Sequence, residues 1–412
     1  MSEQAQARDQ QAKQSLKPMA GVKILDLATM LAGPFVSTIL GEFGADVIKV
    51  ELPGSGGSSR QHGTMTGAGS SMVWLSEQRN KKCITLDLRT PKGKELAKRL
   101  IADMDIVVEN FMPGTLERWG LGYDVLKEIN PDLILVRVTA YGQTGPYIDR
   151  PGFARIAHAF AGLSYLAGEP DGRPVMPGST SLGDYITGVY GALGALLAYT
   201  ARNRYGVGQY VDIGLYEGVF RMLDEMISAY AKNGFIRQRL GADTTNHVPH
   251  SHYQTKDGQW IALACTDNKM WQRMCKAMNR EDLLAPDRYE KMAQRIKGRD
   301  EVNAIVSDFC RSMDRDDLLA HCLKLEVPIG PINNVADIYV DPHFLARKNF
   351  VEIVVPGEGP VTVANVIPRL SETPGEIKWL GARFGEHNME IYRDQLGLSE
   401  AEIADLQKSG VI

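Results

Sequence analysis

No stretch of this chain is apolar for the roughly 20 residues that a bilayer-spanning helix needs. The apolar run Val189–Tyr199 is too short and rich in small residues. No apolar leader precedes the first folding segment, which argues against a signal peptide or a membrane anchor. Cysteine is scarce: Cys83, Cys265, Cys275, Cys310 and Cys322 are dispersed, odd in number and form no CxxC pair. A disulfide framework and a zinc site are therefore not expected, and the cytoplasm is the expected compartment. Surplus charge is lacking too. A net charge of −4 with 23% charged residues gives no field to draw nucleic acid or an anionic membrane surface. Repeats and low-complexity blocks are absent, and residues 1–17 hold no aromatic or β-branched side chain, as expected of a disordered tail.

What is present is an ordinary globular composition, 412 residues with 44% hydrophobic, enough for two or three domains at roughly 100–200 residues each. The stretch Gly178–Gly188 stands out. Gly and hydroxyl residues lead to Asp184 and then to the small-residue run, which reads as a buried helix that another backbone approaches closely. The first-turn N–H groups of a helix are unpaired and its dipole favours an anion. A carboxylate there is expected to stay ionised near neutral pH and could act as a nucleophile. Asp is equally a preferred helix N-cap, so the residues alone leave both readings open.

Along the chain, apolar strands alternate with helical patterns. Val22–Leu27 is a strand, Leu31 opens a helix to about Glu42 with Pro34 in its first turn, and Asp46–Glu51 is the next strand. Strands at Lys82–Leu88, Asp105–Asn110 and Leu133–Val138, with a helix from Pro91 to Ala102, complete a doubly wound α/β pattern. Its ligand site belongs at the carboxyl ends of the strands, where the loops Asn110–Thr115 and Thr139–Gly142 fall. A strand at Gly208–Ile213 and a long helix from Tyr216 to Lys232 follow. The polar segment Arg237–Tyr253 carries His247, His250 and His252, but no acidic or cysteine ligands stand at metal spacing beside them. A smaller domain starts at Gln259 with helices at Lys269–Met278, Val302–Ser312 and Arg315–Leu325, then an extended Pro-rich connection Val327–Ile332. A β-rich stretch (Val351–Val355, Val361–Val363) and a final helix introduced by the capping box Ser399-x-x-Glu402 close the chain.

Several stretches taken in order resemble the family III CoA transferases, the formyl-CoA and carnitine CoA-transferase (CaiB/BaiF-type) group. They are Leu25-Asp26-Leu27 with Ala32-Gly33-Pro34, Gly44–Glu51, Asn80-Lys81-Lys82, Val108–Gly114, Tyr141–Pro146, Leu182-Gly183-Asp184 and Gly206–Gln209. The match runs from about Gly21 to the C-terminus and is looser in the small domain. It implies an α/β fold in which a Rossmann-like large domain, formed by N- and C-terminal parts, is joined to a smaller α+β domain. The parts would be residues 18–225, a linker and small domain at 226–340, and a return at 341–412. It also implies an interlocked homodimer, with a heteromer of paralogous subunits as the alternative.

The resemblance makes Asp184 the covalent nucleophile, forming an aspartyl mixed anhydride and then an aspartyl-CoA thioester. CoA is implied to lie against Met30, Leu31, Ala32, Lys82, Asn110, Phe111, Thr115, Arg118 and Tyr141, with the Arg118 guanidinium suited to a phosphate. No permanent cofactor or metal is implied; the partners are a CoA thioester and a free carboxylic acid. Three features depart from formyl-CoA transferase. Leu31 is apolar where that enzyme is polar, Thr139 replaces a lysine, and its Gly-rich loop has no counterpart between Arg237 and Tyr253. A larger acid, such as a dicarboxylate carried as succinyl-CoA, is the expected substrate. Rival readings are a 2-methylacyl-CoA racemase of the same fold and a non-catalytic CoA-binding subunit. The racemase histidine falls at Phe153, while His158, five residues on, is expected to face elsewhere on its helix.

Overall fold

The computed structural model describes residues 16–67 and 69–412. Residues 1–15 of the expected tail lie outside the described residues, whereas Lys17 donates to the Pro374 carbonyl at 2.7 Å. Two compact units are present. Of the described residues, one gathers those from Leu16 to Ala161, Gly178–Asp224 and Ala346–Ile412; the other gathers Gly162–Pro177 and Glu225–Leu345.

The first unit begins β1 (Lys23–Asp26), α1 (Ala32–Glu42), β2 (Asp46–Glu51), β3 (Lys81–Thr85), α2 (Pro91–Ile101) and β4 (Ile106–Glu109). It continues with α3 (Thr115–Arg118), β5 (Ile134–Thr139), α4 (Ala154–Ala161), α5 (Leu182–Tyr205), β6 (Tyr210–Gly214) and α6 (Leu215–Arg221). The six strands are parallel in the order β3-β2-β1-β4-β5-β6. Successive strand residues face opposite sides, so each buried strand feeds two cores. Leu25, Ile48, Ile84, Val107 and Leu135 pack with Leu96 and Leu100 of α2. Ile24, Val47, Ile106, Val108, Ile134 and Val136 pack with Val36 and Leu40 of α1 and with Ala192, Ala195 and Ala198 of α5.

Small residues let α1 and α5 touch closely. A Cβ on Gly191 would stand 2.5 Å from Val36 Cγ2, and one on Gly188 would stand 2.8 Å from Phe35 Cδ1. The small-residue run is buried on one side only, however. Val189, Leu193 and Leu197 are exposed, because the sheet and α1 cover a single stripe of the helix.

The long helix expected from Tyr216 to Lys232 is instead two, α6 and α7 (Met226–Asn233). Between them Asp224 adopts a left-handed φ of +58°, which cannot continue a right-handed helix.

In the second unit β7 (His250–Gln254), β8 (Trp260–Ala264) and β9 (Ile329–Pro331) form an antiparallel sheet in that order. Thus the polar segment ends in a strand and the Pro-rich connection contains an edge strand, where a proline's missing N–H is tolerated. Helices α8 (Asn268–Ala277), α9 (Arg299–Cys310) and α10 (Arg315–Lys324) supply Trp271, Met274, Val302, Val306 and Leu318 to its core. The first unit ends with the hairpin β10 (Phe350–Val355) and β11 (Gly359–Ala364) and with α11 (Glu400–Lys408). The Ser399 amide donates to Glu402 Oε2 at 2.8 Å, and Ser399 Oγ accepts the Glu402 N–H. Among the described residues no helix is long and apolar enough to cross a membrane. The five cysteines are buried and unpaired.

Candidate active site

Strand order reverses between β1 and β4, and the loops leaving their carboxyl ends meet there. Asn110, just after β4, accepts the Thr29 N–H on Oδ1 at 2.7 Å and donates from Nδ2 to the Thr29 carbonyl at 2.7 Å. Met30 follows in the left-handed region at φ +62°. Beneath the loop lies a buried charge cluster. Asp26 accepts Lys49 Nζ at 3.1 Å, Lys81 Nζ at 2.9 Å, Ser37 Oγ at 2.6 Å and the Ala28 N–H at 3.0 Å. Lys49 also donates to the Ala28 carbonyl. Burial pushes the Asp26 carboxyl up, but the two ammonium groups and the hydroxyl outweigh it and hold it at about 2. Both polar groups of Ala28, like both of Thr29, are therefore pinned. On the β4 side the Phe111 N–H is held by Glu109 Oε2 at 2.8 Å, and Arg137 Nε donates to Glu109 Oε1 at 2.7 Å.

Two hollows open around this junction. One, of about 370 Å³, includes Lys49, Glu51, Gly56, Gly57, Asp87, Arg89 and Trp119 in its wall. The other, of about 330 Å³, includes Met30, Ala32, Asn110, Thr139, Phe153 and Asp184. Thr29 and Phe111 line both, so the hollows share a wall at the switch point. Sequence reading did not single out Lys49, Asp87, Arg89 or the Gly-Ser-rich segment after β2 as part of this wall. The run Gly54-Ser55-Gly56-Gly57-Ser58-Ser59 was the available signal, since such loops present backbone N–H groups to anions; here the Gly57 N–H donates to the Glu51 carboxylate at 2.8 Å.

Asp184 occupies the third position of α5, one turn inside the N-cap Ser181. It is thus not the cap. Among the described residues no side chain donates a hydrogen bond to its carboxylate, which lines the 330 Å³ hollow. Burial raises its pKa to about 6. With that value the carboxylate is still mainly ionised at pH 7, and it takes up a proton as pH falls through about 6. A desolvated carboxylate with unengaged oxygens is more nucleophilic than one wrapped in donors.

Of the other residues singled out, Met30, Ala32, Asn110 and Phe111 come together in the hollow with Asp184. Leu31 is buried in the core. Thr115 and Arg118 stand together on α3, joined by an Nη2 to Oγ1 bond of 2.8 Å; Arg118 is exposed, and neither residue is in the wall of either hollow. Tyr141 belongs to an aromatic cluster, its ring 5.1 Å from Phe160 and 5.9 Å from Tyr147. Lys82 is elsewhere, on the edge strand, pairing with Asp46 at 3.2 Å and Glu390 at 3.0 Å. Among the described residues no three His, Cys, Asp or Glu side chains gather as a metal site; His247 and His250 hold their rings 6.0 Å apart.

The model of CoA-transferase family III matches residues 19–388. The beta subunit of succinyl-CoA–L-malate CoA-transferase from Chloroflexus aurantiacus is 49% identical over 397 residues, which are 96% of this chain and 98% of that one. Human succinyl-CoA:glutarate CoA-transferase is 34% identical, covering 98% of this chain and 92% of its own. The crystal structure of a CAIB/BAIF family protein from Brucella suis matches with a TM-score of 0.81 at 34% identity, covering 92% of this chain and 99% of that one.

Proposed function

Because the chain belongs to CoA-transferase family III and is an enzyme acting on CoA thioesters, we propose that it moves CoA from succinyl-CoA to a second dicarboxylic acid, with Asp184 as the covalent carrier. The donor is inferred from the names of its relatives, which share succinyl-CoA while their acceptors differ. The observation that carries the mechanism is the unengaged, partly buried Asp184 carboxylate facing a hollow that shares Thr29 and Phe111 with a second one, whose wall holds Lys49, Glu51, Asp87 and Arg89.

In this reading the nucleotide end of CoA lies in the larger hollow near Lys49 and Arg89, with the Arg118 guanidinium at its rim. The pantetheine arm passes Thr29 and Phe111. Asp184 attacks the thioester carbonyl, the C–S bond breaks, and a mixed anhydride and CoA thiolate result. The thiolate attacks the Asp184 carbonyl, giving an aspartyl-CoA thioester and free succinate. The acceptor carboxylate then attacks that thioester and the steps run in reverse. No proton has to cross to carbon, and the thioester's energy stays in covalent form. The pinned peptides of Ala28 and Thr29 hold the wall against which the intermediate is kept from water.

Racemisation needs a second acid–base group across the substrate. Phe153, where the resemblance places it, lines the hollow as a hydrocarbon. The exposed apolar residues Val189, Leu193 and Leu197 of α5 support assembly with another chain. An interlocked homodimer is our reading, and a pairing of paralogous subunits is the variant suggested by a relative named as a beta subunit. Five unpaired thiols fit a cytoplasmic location.

Incubation with succinyl-CoA and a panel of mono- and dicarboxylic acids, read by mass spectrometry, tests this function. The expected result is succinate release coupled to a new thioester of one dicarboxylic acid. In D₂O a 2-methylacyl-CoA should gain no deuterium at its α-carbon. Deuterium uptake there without net transfer would assign the racemase chemistry instead.

A further inference from the structure

His158 lies on α4 and is completely buried. Its Nε2 accepts the N–H of Gly183 at 2.8 Å, so the neutral ring must carry its proton on Nδ1. Burial, reinforced by Arg155, lowers its pKa and keeps it neutral. Gly183 precedes Asp184 and is the second residue of α5, whose N-cap Ser181 supplies no side-chain bond. The first-turn donors of a helix lack partners within it. Here one of them is satisfied from another helix, at the residue beside the proposed nucleophile.

Two further features show that this contact is built. A Cβ on Gly183 would lie 3.0 Å from His158 Nε2 and 3.1 Å from Cδ2, so the ring's approach depends on glycine at that position. His158 Nδ1 finds no hydrogen-bond partner. A buried donor left unpaired weakens the fold, and an apolar side chain would avoid it. Stability alone does not account for the imidazole, whereas an acceptor aimed at the Gly183 N–H does.

We propose that His158 is a positioning residue: by accepting the Gly183 N–H it locks the first turn of α5 and so aims the Asp184 carboxylate. The inference rests on the reading of Asp184 as nucleophile, but its physical core, the fixed Gly183 amide, does not. Without the acceptor the first turn frays, and the carboxylate spends less time in line with the thioester carbonyl. Binding of CoA at the switch point is untouched. The defect therefore belongs to kcat and not to KM.

The test uses the full-length enzyme with His158→Leu, which fills space without an acceptor, and His158→Gln, whose Oε1 can accept the same N–H. His158→Leu should lower kcat for transfer from succinyl-CoA about 30-fold while KM changes less than about twofold, and His158→Gln should return to within about threefold of wild type. Hydrogen exchange at the Gly183 amide should quicken at least about tenfold in His158→Leu and stay near wild type in His158→Gln. Equal kcat and equal exchange in wild type and His158→Leu would overturn the proposal. So would loss of activity in both variants with unchanged Gly183 exchange. If Asp184→Ala retains turnover, the nucleophile reading falls, and the exchange measurement still decides whether His158 holds the turn. Should His158→Leu fail to fold, histidine NMR of the wild type decides: a neutral Nδ1–H ring supports the proposal and an Nε2–H ring ends it.

Discussion

Asp184→Ala and Asp184→Asn are expected to lose CoA transfer by about 10⁴-fold or more, the scale seen when a covalent nucleophile is removed. The residual hollow still binds the thioester, so KM should move little while kcat collapses. The two variants check each other. Asparagine preserves the shape of the first turn of α5 and alanine empties it; if both fail alike, the missing function is the carboxylate and not the packing. Steady-state transfer from succinyl-CoA, with circular dichroism to confirm folding, measures this. Near-normal turnover in either variant would remove Asp184 from the mechanism.

The pH profile of kcat/KM gives the second expected result. Burial raises the Asp184 pKa from 3.8 to about 6. Only the carboxylate attacks, so activity is flat above that value and should fall about tenfold per pH unit below it, roughly 100-fold by pH 4. Stability runs the opposite way. The folded chain holds this proton more tightly than the unfolded one, so the stabilising contribution is full below about pH 4 and is lost as pH rises through about 6. Asp184→Asn stays neutral and should melt above wild type at pH 8. An acid limb near pH 4 in wild type would mean that the partial burial of the carboxylate does not raise its pKa.

Much of the first unit was legible because each element carries its own local signal. β1, β2, β4 and β5 are apolar runs of strand length between turn residues, and Pro34 and Ser399 mark helix starts by their backbone chemistry. What failed depends on distant partners. β7 is the polar sequence His-Ser-His-Tyr-Gln and becomes a strand only by pairing with β8. The break at Asp224 has neither Gly nor Pro to announce it. The site divides in the same way. Asp184, Asn110 and Phe111 sit at the carboxyl ends of parallel strands or a helix start, places that pattern alone identifies. Lys82 was carried over by motif, but strand register puts its side chain against Asp46 and Glu390. His158 was taken to turn elsewhere on its helix than Phe153, but helical spacing gives a direction and not the neighbour, here the Gly183 N–H, that meets it. The burial that shifts Asp184 comes from packing contributed by several segments and has no sequence signature.

The central claim is that Asp184 becomes covalently bonded to the substrate. Succinyl-CoA added without an acceptor acid should load the enzyme, and hydroxylamine should then convert the loaded residue to a hydroxamate. Mass spectrometry of the peptide spanning Gly178–Gly188 reads it directly. The account predicts modification at Asp184, dependent on succinyl-CoA, together with loss of activity. Full inactivation with Asp184 unmodified, or a hydroxamate on a different residue, would contradict it.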